Sequence, residues 1–276
     1  MTGERWRFIE SGARPGAENM AVDGAILEAR AAGNVPPTLR VYTWRPPAVS
    51  LGRFQPADLS VDFDACRRLG IDVVRRPTGG RAILHTEEEV TFSMVVSARR
   101  LGTTGVMDSY RTLAAGVIAA LRSLGLDARL VERSARTGSP AMARDPACFA
   151  VKARCDLMIG DAKLVGSAQV QRNGFILQQN SLPLRLRSED WQRVFLRAAR
   201  PPKATGLWDA AKKEIPYPDV AEALRKGFAA AFDVELDQGE LSEEELRRAR
   251  EHTPAAQVGR PEAKKGTRTV TCRRGG

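Results

Sequence analysis

The sequence lacks a hydrophobic run long enough to cross a lipid bilayer. A spanning helix needs about 20 consecutive apolar residues, and no apolar stretch of the 276-residue chain approaches that length. Residues Met1–Glu10 also lack the apolar centre and the small-residue cleavage site of a secretory signal. We therefore expect a protein that is not integral to a membrane and that acts in the cytoplasm.

Histidine and cysteine are also scarce. The chain has two histidines, His85 and His252, and four cysteines at wide spacings, with no Cys-x-x-Cys or His-x-x-x-His pair. A structural zinc site needs a tight cluster of such ligands, so we predict no metal site. Widely spaced cysteines in a long chain without a secretory signal also argue against a disulfide framework.

The excess of basic residues is moderate, and half of it lies near the C-terminus. Lysine and arginine number 43 and aspartate and glutamate 33, which gives a net charge of +10. Residues 253–276 contain six basic residues, one acidic residue and few core-forming residues, so they supply +5 of that charge. We predict a domain at residues 1–252 and a disordered basic tail at 253–276. Such a tail could bind nucleic acid only without specificity, which disfavours a nucleic-acid function.

The order of periodic segments predicts one α+β domain. Apolar residues recur with helical spacing over Glu18–Ala32 and Asp108–Leu124. Thr38–Trp44 and Glu89–Ala98 are rich in β-branched and aromatic residues, as strands are. Asn173–Gly174 favours the positive φ angles of a tight hairpin turn. We therefore expect mixed, largely antiparallel sheets flanked by helices.

A glycine-rich turn flanked by arginines is the first candidate site. It occupies Arg75–His85, after a segment with strand character. Gly79 and Gly80 let the backbone approach a ligand closely because no Cβ intervenes, and arginines offer forked donors to a carboxylate, phosphate or carbonyl oxygen. An ordinary turn with exposed arginines and a structural histidine would explain the same residues. This pattern alone therefore does not distinguish a ligand-binding site from an ordinary turn.

Cys148 and Lys163 are the second candidate. A thiolate attacks thioesters well, and a nearby ammonium group lowers the pKa of a thiol. Fifteen residues separate the two, so they can act together only if the chain folds back and both side chains face one pocket. A single cysteine is otherwise more often a small buried apolar residue, and a lysine beside a turn is more often solvated.

Five motifs occur in an order that resembles a known superfamily. They are Asn19–Asp23, Ser50–Gln55, Arg75–His85, Cys148–Phe149 and Lys163–Gln169. In this order they resemble the superfamily of lipoate–protein ligases and octanoyltransferases, which shares its fold with biotin ligases. The resemblance runs from about Trp6 to Glu251. The presence of Cys148 ahead of Lys163 makes the chain most similar to single-domain octanoyltransferases. One departure is Gln179–Asn180, where the family often has His-Gly.

The resemblance implies a two-step acyl transfer. An octanoyl group arrives as a thioester on the phosphopantetheine arm of acyl carrier protein, and Cys148 attacks it to form an acyl-thioester on the enzyme. A lysine of an acidic lipoyl domain, typically glycine cleavage H protein, then takes the octanoyl group as an amide. The resemblance implies that Lys163 lowers the thiol pKa and contacts the oxyanion, and it implies no cofactor. The residues it places in substrate binding are Arg76, Gly79, Gly80, His85 and Ser167, with Val95 and Leu164 as candidates for lining the acyl tail.

Two other functions fit part of the sequence. An ATP-dependent lipoate–protein ligase would share the glycine-rich turn and Lys163 but would form an acyl-adenylate. Such ligases usually carry an additional C-terminal domain, and only about 25 poorly core-forming residues follow Glu251. A non-catalytic binding protein on the same fold would instead depend on the basic tail and would tolerate replacement of Cys148.

Overall fold

The computed structural model describes residues 3–132, 155–196 and 203–259. The strands are β1 (Glu4–Arg14), β2 (Thr38–Trp44), β3 (Ala48–Leu51), β4 (Asp72–Arg75), β5 (Ile83–His85), β6 (Glu89–Ser97), β7 (Arg129–Glu132), β8 (Cys155–Ile159), β9 (Ala162–Arg172), β10 (Phe175–Pro183) and β11 (Val234–Gln238). The helices are α1 (Gly16–Ala31), α2 (Phe63–Arg68), α3 (Ala98–Leu101), α4 (Val106–Ser123), α5 (Ser188–Val194), α6 (Leu207–Ala211), α7 (Tyr217–Phe232) and α8 (Glu243–Ala256). Within these three ranges, no helix is both long enough and apolar enough to span a membrane.

Eight strands form one large sheet in the order β11-β1-β2-β6-β10-β9-β8-β7. From β2 to β7 every neighbouring pair is antiparallel, which confirms the expected α+β fold with largely antiparallel pairing. The exception is β1, which lies parallel to both β2 and β11. Helix α1 supplies the crossover that a parallel β1–β2 pair requires.

Helices α4 and α7 cover one face of the large sheet. The even-numbered residues of Val90–Val96 in β6 point into this core. Leu113, Val117 and Leu121, which belong to the apolar stripe predicted for α4, are buried there. A Cβ added to Gly227 of α7 would lie only 2.5 Å from the backbone of α4. The two helices therefore cross in direct contact because this position has no side chain.

The opposite face carries α1, α8 and a small sheet. The small sheet has the order β4-β3-β5, with β3 parallel to β4 and antiparallel to β5. The odd-numbered residues of β6 turn towards this side, and Glu89, Thr91 and Ser93 are buried there. Buried polar groups need hydrogen-bond partners, and on this face they come from α1, the small sheet and the neighbouring strands.

The predicted boundary of the basic tail falls inside α8 and is wrong. Residues 253–256 continue the helix, and the N–H of Val258 donates to the carbonyl of Val73 at 2.9 Å. The charge composition of 253–276 hid this continuation, because the helix packs against α1 through only a few apolar side chains such as Ala249 and Ala256. The remainder of the predicted tail, 260–276, lies outside the described residues.

A buried ion pair joins α8 to β1, and it makes a testable contribution to acid stability. Both guanidinium nitrogens Nη2 and Nη1 of Arg7 donate to the Glu245 carboxylate, at 2.6 and 2.8 Å. Burial would raise the pKa of Glu245, but hydrogen bonds from Arg7 and the Ser242 backbone outweigh it and hold the pKa below 4.5. The stabilisation is therefore present above pH 4.5 and is lost as the pH falls through the folded-state pKa.

Glu245→Gln is expected to lower the free energy of unfolding by about 1.5–3 kcal/mol at pH 7, which is typical of a lost charged hydrogen bond. Urea titrations at pH 7 and at pH 3.5 test this, because the difference in unfolding free energy between wild type and variant should be smaller at the lower pH. Glu235→Gln is the control, since Glu235 is exposed and 4.0 Å from Arg5, and its effect should stay within about 0.5 kcal/mol. Equal pH profiles for wild type and Glu245→Gln would contradict the prediction.

Candidate active site

A cavity lies where the small sheet meets β2, β6, β9 and β10 of the large sheet. Its volume is about 20 Å³, room for about one water molecule. Apolar side chains from α1, β2 and β5 share its walls with polar groups from β6 and β10. The lining residues are Met20, Tyr42, Trp44, Ser50, Arg76, Ile83, His85, Thr91, Ala168, Gln179, Asn180 and Ser181. An apolar slot with a few convergent polar groups is typical of a small-molecule site.

Arg76 holds the glycine-rich turn in shape beside this cavity. It lies directly after β4 and is 3% exposed. Its Nη2 donates to the carbonyls of Gly79 and Arg81 at 2.6 and 2.7 Å, and its Nη1 donates to the Ser50 carbonyl at 2.8 Å. The guanidinium of Arg76 therefore binds backbone of its own turn, as well as lining the cavity. Its predicted contact with substrate stays a prediction.

The two glycines of the turn have separate environments. Gly80 has a φ of +89°, a conformation that side chains disfavour. Its carbonyl lies so close to Gly52, the residue after β3, that a Cβ added there would be 1.9 Å from that oxygen. Gly79 has no atom within 4 Å of where its Cβ would be. Neither glycine of the turn lies among the residues that line the cavity, so substrate binding by Gly79 and Gly80 stays a prediction.

His85 is fixed as one wall of the cavity. Its Nε2 lies 2.8 Å from the Ser50 hydroxyl and its Nδ1 lies 2.8 Å from the Glu89 carboxylate. Its ring stacks on Trp44 with a centroid separation of 3.9 Å and an interplanar angle of 11°. The carboxylate of Glu89 also accepts a hydrogen bond from Thr91. An imidazole held at both nitrogens and on one face keeps a single orientation, and it presents its remaining surface to a bound ligand.

A network of hydrogen bonds around Asp23 connects the glycine-rich turn to the interior of the protein. The sequence did not predict this network. Asp23 of α1 accepts hydrogen bonds from Arg40, Ser93, Tyr42 and Gln179, at distances of 2.7–2.9 Å. Burial, followed by the charge of Asp23, raises the pKa of Tyr42 well above 10 and keeps its hydroxyl a donor. The amide oxygen of Gln179 in turn accepts from Thr78 of the turn at 2.8 Å. The motifs Asn19–Asp23 and Arg75–His85 are thus joined through β10.

Ser167 lies next to the cavity rather than in its wall. Its hydroxyl donates to the side-chain oxygen of Asn180 at 2.8 Å. The same oxygen accepts from Gln178, which accepts from Gln169. Ser167 therefore reaches the cavity only through Asn180, and its direct contact with substrate stays a prediction.

Lys163 occupies a buried position on β9. Its Nζ lies 2.7 Å from the carboxylate of Asp156 on β8, and the two side chains are 5% and 1% exposed. Its backbone N–H donates to the carbonyl of Lys203 at 3.0 Å, and its own carbonyl accepts from Thr205. The interpretation of Lys163 as a solvated turn residue is therefore wrong, because a buried ammonium needs a partner and Asp156 provides one.

The predicted nucleophile is not among the described residues, and two of the predicted lining residues lie outside the cavity wall. Cys148 falls in 133–154, outside the described residues, so its distance from Lys163 stays untested. Val95 packs with α1, and Leu164 belongs to the core under α4 and α7. The apolar cavity walls come instead from Met20, Tyr42, Trp44, Ile83 and Ala168. In the part of the chain that is described, no group of three His, Cys, Asp or Glu side chains could hold a metal ion.

Gly52→Ala is expected to displace the glycine-rich turn, because the new methyl group would overlap the Gly80 carbonyl. Overpacking of this kind costs about 1–3 kcal/mol of stability. The acyl transfer that the resemblance implies should fall more than tenfold, because the turn moves away from Arg76 and the cavity. Thermal unfolding and transfer rates measure the two effects. Gly24→Ala is the control for stability, since its Cβ meets no atom within 4 Å and alanine favours a helix. A normal transfer rate in Gly52→Ala would contradict the prediction.

Comparison with known proteins assigns the chain to a family. Residues 15–229 match the model of the lipoyl protein ligase A/B catalytic domain. The chain therefore belongs to this family, which confirms the resemblance seen in the sequence. The octanoyltransferase LipM of Kyrpidia tusciae is 41% identical over 261 residues, which are 89% of this chain and 94% of that protein. The octanoyltransferase LipM of Symbiobacterium thermophilum is 40% identical over 256 residues, with coverages of 88% and 92%.

Solved structures agree with this family on the fold. A lipoate–protein ligase A bound with ATP is 26% identical, with a TM-score of 0.76 and coverage of 92% of this chain and 95% of that chain. A protein from T. acidophilum with bound lipoic acid is 27% identical, with a TM-score of 0.74 and coverages of 92% and 96%. The expected ligase-like fold, with sheets flanked by helices, is thereby confirmed.

Proposed function

We propose that the protein transfers an octanoyl group from acyl carrier protein to a lysine of a lipoyl domain, typically glycine cleavage H protein, in the cytoplasm. The observation that carries this is a match over nearly the whole chain to octanoyltransferases at 40–41% identity. That match confirms the predicted class of reaction, octanoyl transfer for lipoate synthesis by an acyltransferase. The donor, the acceptor and the covalent step through Cys148 are the proposed part.

The first proposed step is transfer of the octanoyl group to Cys148. The thiolate attacks the carbonyl carbon of the donor thioester, and the carbonyl oxygen takes up the negative charge. Collapse of this intermediate breaks the bond to the sulfur of the carrier arm, which leaves as a thiolate and takes up a proton. A nearby ammonium stabilises both the attacking thiolate and the oxyanion. We assign this role to Lys163, whose side chain is 5% exposed and therefore little screened by water.

The second proposed step is aminolysis of the enzyme thioester. The neutral amine of the acceptor lysine attacks the octanoyl carbonyl, an amide forms, and the Cys148 thiolate leaves and is regenerated. The proton of the amine passes to solvent or to a neighbouring base. No nucleotide is consumed, because the thioester that enters the first step is already activated.

The cavity supports the proposal through the chemical character of its walls. Tyr42, Trp44 and Ile83 give it apolar walls, and each methylene removed from water contributes about 0.8 kcal/mol. His85 and Arg76 lie in the same wall as polar groups with fixed orientations. We place the eight-carbon chain along the apolar part, with its thioester end towards the polar residues. Because the cavity has a volume of only about 20 Å³, its walls have to move apart to admit the chain.

The test is acyl transfer in the absence of ATP. The protein is mixed with octanoyl-acyl carrier protein and unmodified H protein, and intact masses of both proteins are followed by mass spectrometry. We expect one octanoyl group on the enzyme at early times and one on the acceptor later. Acylation of the acceptor only when free octanoate and ATP are supplied would overturn the proposal. That outcome would favour the ligase, the function suggested by the similar fold of an ATP-bound ligase structure.

A further inference from the structure

The loop between β3 and α2 has an exposed apolar surface that the fold does not use. Phe54 is 85% exposed and Leu59 is 57% exposed. Among the described residues only one other large apolar side chain, Val106 at 48%, is comparably exposed. These two residues lie within six positions of one loop, and aromatic and arginine side chains together are typical of protein–protein contact sites. Arg53 stacks against the ring of Phe54, with 5.3 Å between its Cζ and the ring centroid.

This loop is held rigid and is bonded to the glycine-rich turn. Nη1 of Arg75 donates to the carbonyls of Gly52, Arg53 and Gln55, at 2.8, 3.2 and 2.9 Å. The N–H of Arg53 donates to the carbonyl of Thr78 at 2.9 Å. A surface fixed before binding loses little conformational entropy when a partner arrives. The loop is therefore preorganised at the side of the turn that borders the cavity.

A basic groove runs from this loop to the cavity. Arg53, Arg75 and Arg172 line it, and it shares Met20 and Arg76 with the cavity wall. Within the described part of the chain, no carboxylate lies within ion-pair distance of Arg53, Arg75 or Arg172, unlike Arg248 and His252 nearby, which are paired with Glu28. Glu28, the carboxylate that lines the groove, is thus already neutralised by its own partners. The three arginines therefore give the groove a net positive charge.

We propose that Arg53 and Arg172, which line this groove, and Phe54, which lies against Arg53, form the docking surface for the acidic protein domain that carries the acceptor lysine. This inference rests on the proposed function. A lysine side chain reaches only about 6 Å from its Cα, so the acceptor domain has to lie against the rim of the cavity. An acyl group on a long flexible arm can be delivered from a carrier docked farther away. A basic rim with one exposed aromatic side chain complements an acidic domain in charge and offers it an apolar anchor.

Charge reversal separates this docking role from other functions of the site. In Arg53→Glu/Arg172→Glu, the KM for H protein should rise at least tenfold at low salt, and the rise should diminish as salt screens the charges. The KM for octanoyl-acyl carrier protein and the rate of enzyme acylation should stay unchanged. Phe54→Ala should raise the KM for H protein without changing its salt dependence. Arg99→Glu/Arg122→Glu is the charge-matched control, because both arginines are exposed, in the last turns of α3 and α4.

Direct binding makes the result independent of turnover. Amide shifts of isotope-labelled H protein are titrated with wild type and with Arg53→Glu/Arg172→Glu, with thermal unfolding as the check on folding. Weaker binding by the folded variant supports the docking surface, even if octanoyl transfer itself were disproved. Unchanged binding and unchanged acceptor KM overturn the inference while leaving the proposed function intact. A rise in KM for the carrier protein alone also overturns it, because the surface would then belong to the donor.

Discussion

The variant Cys148→Ala is expected to lose octanoyl transfer almost completely, by about 10³-fold or more, because the covalent route loses its nucleophile. No octanoyl group should accumulate on the variant in intact mass spectra, whereas wild type should show one. Cys148→Ser should retain only slow acylation, since an unactivated hydroxyl is a much weaker nucleophile than a thiolate at neutral pH. Full transfer by Cys148→Ala would refute Cys148 as the nucleophile and leave either another cysteine or direct attack of the acceptor lysine on the donor thioester as the route.

The other cysteines provide matched controls for this result. Cys66 is buried, and burial followed by the charge of Asp62 raises the pKa of its thiol to about 11. At pH 7 its thiolate fraction is therefore about 10⁻⁴, and Cys66→Ala should leave enzyme acylation unchanged. Cys155, the first residue of β8, is the rival nucleophile closest in sequence to Cys148. Acylation that persists in Cys148→Ala and disappears in Cys155→Ala would transfer the role to Cys155.

Elements with strong local signals were predictable, and those that depend on distant contacts were not. Thr38–Trp44 forms β2 with the predicted bounds, and Asn173 and Gly174 have the predicted positive φ angles of 50° and 78°. The strand Glu4–Arg14 was missed because its exposed positions carry charges and glycine rather than β-forming residues. It is held in the sheet by β2 and β11, and β11 lies more than 200 positions along the chain. No local pattern contains that information.

In the candidate site, too, residues in local motifs were predictable, whereas their distant partners were not. The glycine-rich turn and His85 were predictable only in combination with the other motifs, because an ordinary turn would explain them alone whereas the order of five motifs resembles the superfamily. Their partners were not evident, since Glu89 and Gln179 sit in strands whose polar residues resemble a solvated face. Both are in fact buried against the small sheet and α1, at 2% and 6% exposure. Asp23 likewise lies in a helix. Nothing in the sequence indicates that it accepts four hydrogen bonds from residues of three strands.

Lys163→Met is the second variant with a large expected effect, and it tests activity and stability together. Loss of the ammonium should slow enzyme acylation by about 10²–10³-fold, the usual cost of one charged stabiliser in an acyl-transfer site. The same change removes the ammonium that lies 2.7 Å from the buried Asp156 carboxylate, which should cost about 3–5 kcal/mol of unfolding free energy. Lys203→Met is the matched control, because its ion pair with Asp161 is exposed and is worth at most about 1 kcal/mol.

A second replacement separates these two effects. In Lys163→Met/Asp156→Asn the buried carboxylate becomes a neutral amide, so most of the lost stability should return because no uncompensated charge remains. Acylation should stay slow, since the positive charge is still absent from the site. The burst of acyl-enzyme in rapid-quench mass spectra and the urea unfolding curve are measured on the same preparations. If transfer recovered along with stability, Lys163 would be a structural partner of Asp156 and the source of thiol activation would have to lie elsewhere. If stability recovered and transfer did not, the role of the ammonium in catalysis would be established independently of folding.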